Sequence, residues 1–181
     1  MTRSIPGTKV AIALAVTITS TILLASAGRW FNQNPPAGIA LLKGGTLVDS
    51  RDVVRQDGGT ACGRAALIQL YRELGFDQPP RSLPEPDPRM GLSLLQLQEA
   101  ASKDHVGLNG ERLDTGELED LPYPFIAWFD RNHFVVVEEM TEDGRVSVLD
   151  PAIGRVLYYP KLLQLHWDGT ALVPRESEGR S

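Results

Sequence analysis

Residues 133–150 read HFVVVEEMTEDGRVSVLD, two β-branched segments around a polar stretch that contains Asp143-Gly144. The pattern predicts a pair of antiparallel strands joined by a short connection. Two registers are open. A loop from Met140 to Asp143 pairs residues whose numbers sum to 283 (139 + 144), which sets His133 opposite Asp150. A tight turn on Asp143-Gly144 pairs residue 142 with 145 and separates the two side chains by several residues. Working outward, FIAWF (125–129) precedes the hairpin and RVLYY (155–159) follows it, with DRN and PAIG as connections. Strands this closely spaced predict an antiparallel meander, followed by a short helix in KLLQLHW (161–167) and a last strand in TALVP (170–174).

The preceding half has a different period. From Cys62 to Leu74 the residues Ala66, Leu67, Leu70, Tyr71 and Leu74 recur at helical spacing, and Gly75 follows as a stop. QPPRSLPEPDPR (78–89) holds five prolines and predicts an irregular loop. A second helix is expected from about Leu92 to Lys103, with Gly107 beyond its end. Helices first and antiparallel strands afterwards indicate an α+β domain, a helical half packed on an antiparallel sheet.

Of the 181 residues, 18 are basic and 23 acidic, a net charge of −5 that argues against nucleic acid as a partner. The single cysteine forms no internal disulfide and builds no cysteine-based zinc site, so neither a structural metal nor a cofactor is expected. Arg3 and Lys9 precede an uncharged apolar run from Val10 to Ala27 that closes on Ala25-Ser26-Ala27. The run reads as a signal peptide or membrane anchor that sends the following chain outward. The expected product is exported and periplasmic or otherwise extracytoplasmic, with residues 10–27 as a possible inner-membrane tether. The expected organisation is residues 1–27 as signal or anchor, 28–48 as linker, 49–174 as the domain and 175–181 as a polar tail.

Cys62 lies in QDGGTACGRAAL (56–67), between a Gly/Thr-rich turn and the first helix. Its bland role is to fill a helix–sheet contact with a small apolar side chain. The alternative is a nucleophile: with Thr60 as N-cap, Cys62 sits in the first turn, where free N–H groups and the helix dipole favour a thiolate. Gly58, Gly59 and Gly63 would let a substrate backbone come close. A nucleophilic thiol needs a base, and the base an orienting group. His105 follows a helix end and reads as solvated or as a dipole partner, and His166 reads as packing beside Trp167. His133 opens one hairpin strand and Asp150 closes the other, so they are the candidate base and orienter. Gln56 could supply a side-chain N–H to an oxyanion together with the Cys62 backbone N–H.

Gln56, Cys62-Gly63, His133-Phe134-Val135-Val136-Val137, Leu149-Asp150-Pro151 with Gly154, and Trp167-Asp168-Gly169 together resemble the papain-like cysteine peptidases. They resemble most the bacteriocin-processing family, family thirty-nine of that group, which cleaves leader peptides after a double glycine. The resemblance covers about residues 49–174. It implies a papain-like fold with Cys62 as nucleophile, His133 as general base and then acid, Asp150 as imidazole orienter and Gln56 in the oxyanion hole. It also implies a peptide or protein substrate and a link to a secretion or export system. Ala61 stands where the family usually has an acidic residue. A non-catalytic peptide-binding module on the same fold is the alternative to an enzyme. In IALLKGG (39–45), the paired glycines offer either a self-processing cut after Gly45 or a simple turn.

Overall fold

In the computed structural model the described residues are 35–49 and 51–175, with Ser26 besides. The apolar run from Val10 to Ala27 and the tail 176–181 fall outside them, apart from Ser26. Among the described residues no helix is long and apolar enough to cross a membrane.

The chain runs through α1 (Pro35–Leu42), β1 (Gly45–Asp49), α2 (Cys62–Glu73), α3 (Leu94–Lys103), β2 (Leu108–Arg112), a 3-10 turn (Leu118–Asp120), β3 (Phe125–Phe129), β4 (His133–Met140), β5 (Val146–Asp150), β6 (Gly154–Tyr158), α4 (Pro160–Leu163) and β7 (Trp167–Pro174). The strands form one sheet in the order β1-β6-β5-β4-β3-β7-β2, and every neighbouring pair is antiparallel. The meander β3 to β6 is therefore its centre, and the architecture is α+β.

Both faces of the sheet are covered, which is why Phe134 to Val137 are all buried rather than alternating. Phe134, Val136, Leu149, Ile126 and Leu172 pack against Leu67, Leu70 and Leu97 of α2 and α3. Val135, Val137, Val148, Phe129 and Trp167 pack with Ala40 of α1, Leu118 and Leu163 of α4. Gly63 belongs to the first layer: an added Cβ would stand 3.2 Å from the Phe134 ring and 3.3 Å from Leu92. Its missing side chain brings the start of α2 against β4, so its role is packing and not the substrate access expected from the sequence.

The linker expected over 28–48 does not hold where the structure describes it. Residues 35–42 are helical, and Gly45–Asp49 pairs with β6 as an edge strand. Gly44 takes a left-handed turn with φ 75°, and Gly45 lies against Val156 and the Tyr158 ring, where a Cβ has no room. The glycine pair thus forms the way into β1, at the opposite side of β5 and β6 from β4.

A candidate thiol–imidazole–carboxylate site

Cys62 is the first residue of α2, preceded by Ala61, which caps nothing with its side chain. The Thr60 N-cap expected from the sequence is therefore replaced by a cap one residue later. Backbone N–H groups at a helix start have no acceptor within the helix, and that of Gly63, together with the Phe134 N–H of β4, lies against the Cys62 sulfur. Burial alone would raise the thiol pKa. The His133 ring at hydrogen-bonding reach, the Phe134 N–H, the imidazolium charge and the Gly63 N–H outweigh it, and the thiol titrates below its ordinary value.

His133 opens β4 and its Nε2 stands 2.8 Å from Asp150 Oδ1. That engagement leaves Nδ1 as the ring nitrogen for the thiol. Burial opposes charge on the ring, yet hydrogen bonds and charge from Asp150 and Cys62 raise its pKa to about 9. Asp150 is 2% exposed, and its Oδ1 also accepts the Ala152 N–H at 2.8 Å, so the Asp-Pro turn fixes the carboxylate.

Neither expected register of the hairpin occurs. The turn closes with Gly144 N–H to the Thr141 carbonyl, and Met140 pairs with Val146 and Glu139 with Ser147. A bulge at Glu138 then shifts the pairing to Val137 with Val148 and Val136 with Leu149. His133 and Asp150 consequently meet as diagonal neighbours on one face, not as a directly opposed pair. Glu138 is held by the Ser147 hydroxyl at 2.7 Å and Arg155 at 2.9 Å.

Cys62, His133 and Asp150 are thus brought together. Gln56 arrives beside them through its backbone, whose N–H donates to the Pro151 carbonyl at 3.1 Å. Its side-chain Nε2 donates to the Gly58 carbonyl at 2.8 Å, and its Oε1 is buried with no hydrogen-bond partner among the described residues. His105 is exposed beyond α3, as expected. His166 does more than pack beside Trp167: its Nδ1 meets Asp130 at 2.8 Å and its Nε2 the Lys43 carbonyl at 2.9 Å.

The thiol opens into a cleft of about 350 Å3 walled by Gly59, Thr60, Leu92, Trp128, Phe134 and the arginines 89 and 131. Trp128 and Phe134 pack against each other tilted by 49°, with ring centroids 4.2 Å apart. Gly59 was picked out from the sequence, but Arg89, Trp128 and Arg131 were not, since a Pro-rich loop and a hairpin turn look merely solvated. Gln69 was missed as well, although a glutamine on the buried face of an apolar helix is a visible signal. Its Oε1 accepts the Val54 N–H at 2.7 Å and so steadies the segment leading to Gln56.

A thiol at a helix start, facing a histidine–aspartate pair on an antiparallel sheet, is the arrangement of a peptidase of the papain-like class. The chain belongs to the Peptidase C39 family, which matches residues 50–179. It is 29% identical over 128 residues to an uncharacterized protein of Methanothermobacter marburgensis, covering 70% of this chain and 89% of that one. A stretch of 84 residues is 33% identical to a putative ABC transporter ATP-binding protein of Mycoplasma genitalium, 46% of this chain but 13% of that protein. The fold is shared with a double glycine motif protease of an AMS/PCAT transporter, solved with its leader peptide (TM-score 0.58, 22% identity, 74% of this chain and 99% of that one). It is shared equally with the peptidase domain of Streptococcus ComA, a bifunctional ABC transporter (TM-score 0.58, 24% identity, 67% and 97%).

Proposed function

We propose that this chain is an exported or membrane-anchored cysteine peptidase that cleaves a peptide or protein through a thioester on Cys62. The observation that carries the reading is His133 set between Cys62 and the buried Asp150. The Cys62 thiolate attacks the scissile carbonyl carbon, and the carbonyl electron pair moves onto oxygen. The Cys62 N–H, free of an intrahelical acceptor, receives that oxyanion. Gln56 joins it by turning its amide from the Gly58 carbonyl into the site. The His133 imidazolium gives its proton to the departing amine as the C–N bond breaks, leaving an acyl thioester. Water then adds with His133 as base, the C–S bond breaks, and the acid leaves as the thiolate and imidazolium are restored. Asp150 keeps the ring oriented throughout and stabilises its charge.

Family membership and the double glycine protease among the structural relatives support a leader-type peptide with small residues before the cut. The open surroundings of Gly58 and Gly59 support close approach of such a backbone. The transporter relatives support an export system as partner, and the apolar run Val10–Ala27 supports a tether in the inner membrane with the domain outside.

The test is mass spectrometry of the protein mixed with Gly-Gly peptides. A peptide cut, with an acyl adduct on Cys62 that is missing in Cys62→Ala, is the expected result. Tight peptide binding with neither cut nor adduct would leave a binding module.

A further inference from the structure

Arg89 and Arg131 flank the thiol cleft from opposite walls, one on the loop before α3 and one on the β3–β4 turn. Both are exposed, and among the described residues neither guanidinium has a hydrogen bond or an ion pair. Many of the protein's other cations are differently placed: Lys43, Arg51, Arg64, Arg112, Arg145 and Arg155 each pair with a carboxylate. Among the described residues no acidic side chain lines the cleft. The two arginines give the cleft a local positive charge in a chain of net charge −5.

Their backbones are fixed without a substrate. Asp87 Oδ1 accepts the N–H groups of Arg89 and Met90, each at 2.8 Å, and Asp87 and Gly91 exchange backbone hydrogen bonds. On the other wall, Asp130 and Arg131 both take left-handed φ, 48° and 58°, in a turn closed by Asn132 N–H to the Phe129 carbonyl. Of the carboxylates near Arg131, Asp130 is engaged by Lys43 and His166, and Asp168, paired with Arg112 at 3.5 Å, feels the charge of Arg131 without a direct contact.

Resting on the peptidase reading, we propose that Arg89 and Arg131 select a substrate carrying a carboxylate within a residue or two of the scissile bond. A cleft of about 350 Å3 holds only a few residues of an extended peptide, so a carboxylate there meets a guanidinium directly. The carboxylate is an acidic side chain or the chain end of a short product-like peptide.

The test uses the full chain and amidated Gly-Gly peptides with Glu or Gln placed next to the cut, plus a truncated peptide with a free terminus. The intact protein should cleave the Glu peptide about tenfold faster than the Gln peptide, and less so at high salt. In the Arg89→Ala/Arg131→Ala double variant the ratio should fall to about one. A preference confined to the truncated peptide assigns the site to a chain-end carboxylate. Calorimetric binding to Cys62→Ala reads the same preference without turnover. Loss of turnover with the binding preference kept would overturn the peptidase reading alone. Equal handling of the Glu and Gln peptides with no preference for the free terminus either, or a preference that survives in the double variant, overturns the arginine assignment alone.

Discussion

The molecule holds two histidine–aspartate pairs with the same contact length and different surroundings. His133 meets Asp150 at 2.8 Å, and His166 meets Asp130 at 2.8 Å. The first carboxylate side chain is 3% exposed and the second 33%. His166 spends its other ring nitrogen on the Lys43 carbonyl, while Lys43 Nζ pairs with Asp130 at 2.7 Å. His133 keeps its other nitrogen for a thiol at a helix start. One pair fastens the end of α1 to the β3–β4 turn, and the other is free to move a proton. A histidine next to a carboxylate thus carries no chemistry by itself. What decides is the partner of the second nitrogen.

The largest expected effect separates the pairs outright. Cys62→Ala and His133→Ala should each lower peptide turnover by at least about 10,000-fold. Comparable turnover in either variant would place the chemistry elsewhere. Asp150→Asn should cost about 1,000-fold and leave activity above that of Cys62→Ala. The imidazolium is held to about 9 against an ordinary 6.5, so the alkaline limb of kcat/KM should lie near 9 and move down in Asp150→Asn. The sign follows for stability as well: with its pKa raised, His133 stabilises the fold fully below about pH 6.5 and loses that contribution as pH rises through 9. Urea melts from pH 6 to 10 would show it. Gln56→Ala should slow turnover by about 100-fold with little change in KM, provided its amide leaves Gly58 for the oxyanion. An unchanged kcat would leave Gln56 as a support of the Gly58 turn. The smallest effect falls on the other pair: His166→Ala should keep turnover within about threefold and lower stability by about 1 kcal/mol in urea melts. A collapse of turnover there would erase the contrast.

The sequence makes the central sheet and the thiol at the start of α2 readable, because strong periodicity and turn residues mark β3 to β6, α2 and α3. The two edges of the sheet are another matter. Gly45–Asp49 becomes a strand because β6 offers its edge, and its paired glycines resemble a linker until Val156 and Tyr158 are seen to require Gly45. Leu108–Arg112 (LNGER) has one buried residue and takes its form from pairing with β7. The site's members were readable by type, whereas their register was not. It turns on one bulge at Glu138, held by Ser147 and Arg155 from neighbouring strands, and no period-2 pattern encodes that. The orientation of Gln56 was equally hidden, since a carbonyl two residues ahead competes for its amide.

The most direct test of the central claim, a Cys62 thiolate held by the His133 imidazolium, is the rate of Cys62 alkylation by iodoacetamide from pH 4 to 10. The chain has one cysteine, so the signal is unambiguous. The account predicts a fast rate that reaches a plateau below the ordinary thiol range, and a shift of the curve upward in His133→Ala but not in His166→Ala. A rate that climbs only through the ordinary thiol range, identical in all three proteins, would contradict it.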